Sequence, residues 1–340
     1  MTTVENTGIR TGDRRAAGGG IAATMTKALA EGTPSAGGHL VPVEVSDDIM
    51  RQVRARSAVM RAGPRVVQVK KELDVTSIAS GSTAYYVAEN AAIPVSEQTF
   101  AQQALLRPKE LAALVPISNR LLRDAAQSPD VESVIRSDMS EVLALRADLA
   151  FLRGTGTGNE PLGIRNVVGL TPAPSLGSNG RTPTFDDLMD VVAAMRAQNA
   201  PFMRPGWIFH PRLLSTLEKV KDSTGRYLRD AGLLTFDELG GGGTLLGFRF
   251  WTTTQIPINV TTGTSTDTTE IYFSSDWEEC WVGEEQSLEI EVSGEASYDS
   301  GGGVWVSAFQ NRQHLFRAVT THDIALRRPQ FFSVMTGVRP

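Results

Sequence analysis

Residues 129–153 carry the longest regular pattern in the chain, and it constrains everything around it. Ser128 and Pro129 precede Asp130 and Glu132, and apolar side chains then recur at Val131, Val134, Ile135, Met139, Val142, Leu145, Leu149 and Leu152. Proline at the first helical position, acid in the first turn and apolar spacing of three and four predict one capped amphipathic helix. At about 1.5 Å per residue it runs for roughly 40 Å. Such a helix is a spine whose buried stripe needs a core and whose polar stripe faces solvent or a neighbour.

The spine runs into "FLRGTGTGNEPLGI" at 151–164, with Gly154, Gly156, Gly158, Pro161 and Gly163. A phosphate loop is the first chemistry to test. A Walker loop needs Lys and Ser or Thr after its glycines, and a dinucleotide fingerprint needs a strand before them and a helix after. Here the glycines follow a helix and Asn159-Glu160-Pro161 stands where the lysine belongs. The stretch reads instead as an exit turn, with Gly154 ending the spine and its glycines serving positive φ and close approach.

No other catalytic pattern emerges. His39, His210, His314 and His322 are scattered, with no pair at metal-ligand spacing, and His210 before Pro211 reads as a hydrogen-bonded residue at a strand end. Cys280 is the one cysteine, which excludes an internal disulfide framework; in "WEECWV" its flanking carboxylates are expected to raise the thiol pKa. There is no GxSxG elbow. The pairs Asp47-Asp48, Asp186-Asp187 and Glu278-Glu279 read as helix caps and solvated faces.

On either side of the spine the pattern changes. Residues 1–38 are rich in Gly, Ala and Thr and read as an arm that cannot form a core alone. A helix capped by Ser46 is predicted over 46–57. From Arg65 the period becomes two, with Val67, Val69, Leu73 and Val75 on one face and a break at Lys71. "TAYYVAENAAIP" and "LRPKELAALVPIS" also read as strands, so a β-hairpin excursion is expected over roughly 66–115; a lone hairpin is marginal in water and must lean on something. After the exit turn come a capped helix at 184–198, a buried strand at 206–211, a helix begun by Pro211 and a half-buried strand with an acidic face at 287–293. Strand character returns from Val304 to "RRPQFF", while the loop 229–243 carries no assignable pattern.

The 41% hydrophobic and 21% charged content is that of a globular chain, and no window approaches a membrane span. A net charge of -5 argues against a surface devoted to wrapping nucleic acid, although a local basic face stays open. The N-terminus lacks the apolar run of a signal peptide. Nearly all the positive charge is arginine, which suits ion pairs at packed interfaces, though GC-rich codon usage produces the same bias. An arm, a hairpin and a spine bury little within one chain, so an oligomer is the economical expectation.

Six phrases in order then carry a family resemblance: "GGHLVPVEVSDDIMRQVRARSAV" (37–59), "YYVAENAAIPVSEQTF" (85–100), "KELAALVPISNRLLRDA" (109–125), "FLRGTGTGNEPLGI" (151–164), "KDSTGRYL" with "TLLGFRFWTTTQIP" (221–257), and "IALRRPQFF" (324–332). The chain resembles the tailed-bacteriophage major capsid proteins with the Hong Kong 97 fold. The resemblance implies an α+β capsid fold with an N-terminal arm (1–38), a P-domain N-terminal segment (39–65), an extended β-hairpin E-loop (66–112), the P-domain with the spine helix 129–153 (113–165), a mixed α/β A-domain (166–304) and P-domain C-terminal strands (305–340). It implies self-assembly into hexamers and pentamers of an icosahedral virion shell, formed in the host bacterial cytoplasm around double-stranded DNA that the inner surface touches only loosely. Implied partners are a portal, a separate scaffolding protein and a decoration protein. No catalysis, cofactor, metal or membrane is implied. An encapsulin-like cellular compartment is the alternative within the fold, and a hydrolase with an unrecognised site the remote one outside it.

Two departures from the family pattern bear on expectations. Some members weld subunits by a lysine-asparagine isopeptide bond helped by a glutamate. Lys70, Lys71 and Glu89 lie in the E-loop and Asn311 in the C-terminal segment, but 311–322 contains no carboxylate, so no cross-link is expected. Only 36 residues precede the first matching phrase, from which a separate scaffolding protein, or none, is expected. Inter-subunit ion pairs are expected from Arg51, Arg54, Arg56, Arg61 and Arg65 near the first helix and from Arg120, Arg123, Arg136 and Arg146 near the spine; for each, a solvated helix face fits equally well.

Overall fold

A computed structural model of the 340-residue chain describes residues 57–80, 84–87, 92, 94, 95, 99–124, 131–220, 225, 227, 232–236 and 242–339. The arm, nearly all of the helix expected over 46–57, the caps Ser128 and Pro129, and most of 221–228 lie outside the described residues. In chain order the elements are α1 (Ala58–Ala62), β1 (Arg65–Gln68), β2 (Leu73–Ser80), β3 (Thr99–Leu106), β4 (Lys109–Ser118), α2 (Asn119–Asp124), α3 (Val131–Arg153), α4 (Phe185–Ala197), β5 (Gly206–Phe209), α5 (Pro211–Glu218), β6 (Leu234–Phe236), β7 (Gly242–Leu245), β8 (Phe248–Thr252), β9 (Val260–Thr262), β10 (Ser265–Ser274), β11 (Cys280–Ser293), β12 (Ser297–Asp299), β13 (Trp305–Ser307), β14 (Gln313–Leu326) and β15 (Phe332–Val338). The mixture of helices with largely antiparallel sheets is an α+β fold.

The chain divides into two compact units. The larger comprises Ser46–Ala113, Val134–Ile290 and Ala318–Pro340. Its centre is a sheet in the order β15-β10-β5-β8-β7-β6, with β9 paired to β10. Every residue of β5 is buried, as expected of a strand covered on both faces. Trp207, Phe209, Phe250 and Phe273 fill the core with Leu188, Val191, Val192 and Met195 of α4. A Cβ on Gly206 would overlap the Trp251 ring, so only glycine lets that indole lie against the strand.

Both helices of this sheet region start as their sequences require. Thr184 caps α4 in a reciprocal box with Asp187, and His210 caps α5 by accepting from the Arg212 N–H at 3.0 Å. His210 is thus the hydrogen-bonded strand-end residue that its position suggested. The unassigned loop 229–243 contains one edge of this sheet, since β6 pairs with β7 from Leu234↔Leu245 to Phe236↔Gly243.

The smaller unit comprises Met1–Val45, Leu114–Ser133 and Glu291–Arg317. Its described part holds α2 and the hairpin β12–β13, closed by Gly301, Gly302 and Gly303, all at positive φ. A small cluster of Tyr298, Ala308 and Leu315 anchors it, and Tyr298 donates to Gln313 Oε1 at 3.2 Å. A further sheet has the order β1-β11-β14-β4.

Four elements depart from the sequence reading. The single strand expected from Arg65 is two: the chain leaves the parallel β1–β11 ladder after the Val69 N–H bonds the Glu284 carbonyl at 2.9 Å, turns at Lys70-Lys71, and resumes as β2. The partner of β2 is β3, from Leu73↔Leu106 to Ser80↔Thr99, and not "TAYYVAENAAIP", whose residues 84–87 form no strand and leave Tyr86 fully exposed. Aromatic and β-branched content alone did not make these residues a strand, because that propensity depends on having a surface to pack against. The buried stripe of α3 is rotated: Ile135, Met139, Leu143, Ala150, Phe151 and Leu152 are buried, while Val142 is 44% exposed. Finally, the chain does not end its structure at "RRPQFF" but continues as β15, antiparallel to β10.

Candidate functional site

The exit turn is built from backbone alone where its glycines stand. The Gly154 N–H closes α3 onto the Ala150 carbonyl at 2.8 Å, and the Gly163 N–H returns to the Gly154 carbonyl at 2.9 Å. A Cβ on Gly154 would overlap the Pro161 carbonyl oxygen and stand 2.6 Å from that of Ala150; one on Gly163 would overlap the Gly154 nitrogen. Gly156 and Gly158 adopt φ of 70° and 63°. Glu160 pins the loop, accepting from the Thr155 N–H at 3.1 Å and pairing with Arg146 at 3.2 Å. Asn166 donates to the Gly154 carbonyl at 2.7 Å and so satisfies the end of the helix.

Beneath this turn lies a buried carboxylate that the sequence reading missed. Glu270 on β10 has no solvent exposure. Arg165 Nε stands 2.8 Å from its Oε1, Arg153 Nε 3.4 Å from its Oε2, and the Tyr272 hydroxyl donates to Oε2 at 2.7 Å. Two guanidiniums and a phenol offset the desolvation of one charge. The cluster ties the last residue of α3, the 3-10 turn Ile164–Asn166 and β10 together. Burial and the adjacent Glu270 charge push the Tyr272 hydroxyl far above its ordinary pKa.

Asp148, also fully buried, faces inward from the spine. Its Oδ1 accepts from Ser57 Oγ at 2.6 Å and from the Val59 N–H at 3.1 Å, and its Oδ2 from the Ala58 N–H at 2.8 Å. It therefore satisfies the free donors that start α1. Burial raises its pKa in spite of these bonds. At the base of β2–β3, Arg107 pairs with Glu72 at 3.0 Å, and its N–H donates to the buried Asp323 at 2.7 Å. Asp187 takes a bidentate fork from Arg181, both contacts at 2.6 Å, which with the Thr184 bonds holds its carboxyl pKa at about 2.

Of the nine arginines expected at interfaces, five have described side chains. Arg51, Arg54 and Arg56, the side chain of Arg136 and Glu89 lie outside the described residues. Arg61 donates to the Thr252 carbonyl at 3.3 Å, Arg65 lies 4.9 Å from the centre of the Trp281 ring, and Arg123 donates to the Asn119 carbonyl at 3.3 Å. Arg120 is exposed on α2, and Arg146 is engaged by Glu160. Lys70 and Lys71 are exposed between β1 and β2; Asn311 is exposed and donates to the Ser307 carbonyl at 3.2 Å.

Two expectations about carboxylates and the thiol need correction. Glu279 is not a solvated face: it is buried between Arg327 and Arg328, at 3.6 and 3.5 Å. Cys280 is fully buried, and it is this desolvation, not the neighbouring carboxylates, that pushes its thiol up. His322 is buried edge-on against Phe151, with ring centres 5.0 Å apart. Among the described residues no group of three or more His, Cys, Asp or Glu is placed to hold a metal ion, and no helix is long and apolar enough to cross a membrane.

The surface instead carries large apolar side chains: Val168 is 92% exposed, Met203 75%, Trp305 73% and Phe309 74%. Exposed apolar side chains mark a surface that meets another molecule where they gather into one contiguous patch.

A family model described as the phage capsid family matches residues 37–337. The major capsid protein of Klebsiella oxytoca phage phiKO2 is 31% identical over 309 residues, covering 89% of this chain and 68% of that protein. The major capsid protein of Enterobacteria phage HK97 is 27% identical over 214 residues, 61% of this chain and 52% of that one. The chain thus spans from about half to about two thirds of these relatives' length. Among solved structures, the capsid of a native GTA particle superposes with a TM-score of 0.62 at 20% identity, over 89% of this chain and 97% of that one. A chain from Mycobacterium phage Bobi gives 0.64 at 17% identity, over 91% and 98%.

Proposed function

The chain belongs to the phage capsid family, and from that premise we propose that it is the coat protein of a tailed phage, whose copies associate as hexamers and pentamers and close into an icosahedral shell around double-stranded DNA. The observation that carries this reading is the family match over nearly the whole chain. The exposed Trp305, Phe309, Val168 and Met203 support it physically, because a shell protein must leave apolar surface for heterologous contacts repeated around rings. Each contact of roughly 1,000 Å² or more is then modest alone and large in sum.

On this reading the protein acts structurally and not as an enzyme. The region 1–38 serves as the arm, 66–112 as the E-loop, 39–65, 113–165 and 305–340 as the P-domain and 166–304 as the A-domain. The shell is assembled in the host cytoplasm with a portal and a scaffold, offers its outer face to a decoration protein, and touches DNA loosely. The named relatives are phage coat proteins, which favours this reading over a cellular compartment. Lys70, Lys71 and Asn311 form no isopeptide bond, and mature particles run as single chains on denaturing gels.

Light scattering with negative-stain imaging of the chain, expressed alone and with the neighbouring phage genes, tests the reading. Rings of five and six or closed shells are expected; a monomer under both conditions overturns it.

A further inference from the structure

In the larger unit one pocket is walled by arginine and apolar side chains together. Arg61 of α1, Arg204 and Arg249 of β8 line a space of about 360 Å³ with Met203, Phe248 and Trp251. Among the described residues that line it there is no carboxylate. Met203 is 75% exposed, and Phe248 and Trp251 are half-buried. Arg61 donates to the Thr252 carbonyl at 3.3 Å, and Arg204 stands 3.7 Å from the exposed Glu278. Arg249 is exposed and meets no partner among the described residues. The two-residue turn Leu246-Gly247, with φ of 54° and 82°, joins β7 to β8 and so sets Phe248 and Arg249 on the pocket wall. Arginine and methionine beside aromatic rings are the composition of interface centres.

A second exposed face has the same character with the opposite sign. Asp186, Met189 and Asp190 stand at i, i+3 and i+4 on α4 and share one side of the helix. All three are exposed, Met189 by 44%, while Leu188, Val191, Val192 and Met195 take the buried side. Asp187 makes the cap, and among the described residues neither Asp186 nor Asp190 pairs with a cation.

The two faces lie apart on one copy. Arg196, in the last turn of α4, stands 5.6 Å from the centre of the Phe202 ring, and that ring packs on Phe248 of the pocket wall at 5.8 Å. Asp190 and Asp186 are about 9 and 15 Å back along the helix at 1.5 Å per residue. An apolar centre rimmed by cations at one place and by anions at another suits a head-to-tail ring, in which each copy gives one face and receives the other.

We propose that the pocket receives the Asp186–Met189–Asp190 face of α4 from a second copy of the chain, with Met189 against Met203 and the aspartates on the arginines. Local charge of opposite sign fixes the orientation of such a contact. A phosphate chain would meet the cations and leave Met203 in water, whereas this helix face covers both. The inference rests on the coat-protein reading and names one contact of the ring.

The test joins the two methionine positions. M189C and M203C chains are co-expressed in equal amounts, and their shells are treated with a short bismaleimide, to which the buried Cys280 is closed. Covalent dimers are expected in the mixed shells and none in shells of either variant alone. Well-formed mixed shells without dimers overturn the proposal, as do dimers in shells of M203C alone, which set two pockets face to face. A charge swap reads the same contact through assembly. R249E and D190K are each expected to lower the assembled fraction at least about tenfold with unchanged far-ultraviolet circular dichroism, and R249E/D190K to recover most of it. Full assembly of R249E, or no recovery in the swapped pair, overturns the proposal. R249E shells that form normally and hold less DNA assign the pocket to nucleic acid and overturn it too. If the wild-type chain forms no shell, it is the coat-protein reading that fails.

Discussion

Ser57 Oγ donates to Asp148 Oδ1 at 2.6 Å, across 91 positions of sequence. The same carboxylate accepts from the Ala58 and Val59 N–H groups, so the spine helix supplies the cap of α1 from a distance. A local cap is present as well, since Ser57 Oγ accepts from the Met60 N–H at 3.2 Å.

Replacing this carboxylate orphans buried donors. D148A is expected to cost about 2 to 4 kcal/mol, as two backbone N–H groups and a hydroxyl lose their acceptor. Because burial raises the folded-state pKa above the ordinary 3.8, the folded chain holds this proton more tightly than the unfolded one. Stability from the group is therefore full below pH 3.8 and falls as pH rises through the folded-state value. Denaturant titration across pH, comparing wild type with D148N, checks this: the variant lacks that share of the pH slope.

Asp187 gives the opposite sign. Its carboxyl pKa is held at about 2, first by the Arg181 fork and then by the Thr184 bonds. Its contribution is complete above pH 3.8 and is lost as pH falls toward 2. D187N is expected to be less stable than wild type at neutral pH and to converge with it in acid, read as melting temperature against pH. T184A, which removes only the capping hydroxyl, is expected to cost about 1 kcal/mol.

Cys280 is predicted to be chemically silent in the folded chain. Thiolate is the reactive form, and burial raises the thiol pKa, so labelling with a disulfide reagent at pH 8 is expected only after denaturant is added. Labelling of native protein at the rate of a free thiol contradicts the placement of this residue.

Elements that depend on near neighbours were legible in the sequence. Thr184, Pro211 and Gly154 announced helix ends through local chemistry, and "GWIF" read correctly as a buried strand. What escaped depends on residues far apart. Glu270 and Asp148 look like ordinary charges in a strand and a helix, and only their partners at Arg165, Arg153 and Ser57 make burial tolerable. One signal was available: an Asp at 148 amid the apolar run from Ala147 to Leu152 breaks the pattern of a solvated charge. The β2–β3 pairing escaped because strand register is settled by the partner and not by composition.

The exit turn supports a prediction of order as well as size. All of its glycines look alike in sequence, yet the space around them differs. Gly154 and Gly163 are closed in by backbone, so a methyl group at either must displace the chain that crosses beside it. A methyl group on Gly158 would meet nothing within 4 Å, and only the φ of 63° stands against it. G158A is therefore expected to cost about 1 kcal/mol, the penalty for a left-handed alanine. G154A and G163A are expected to cost at least about 3 kcal/mol, since backbone overlap is relieved only by shifting the turn away from Asn166 and from the Arg153–Glu270 contact. Thermal melting of the dissociated chains ranks the three. If G158A proves as damaging as G154A, the turn is held by conformation alone, and the close crossing of Gly154 and Gly163 is not what fixes it.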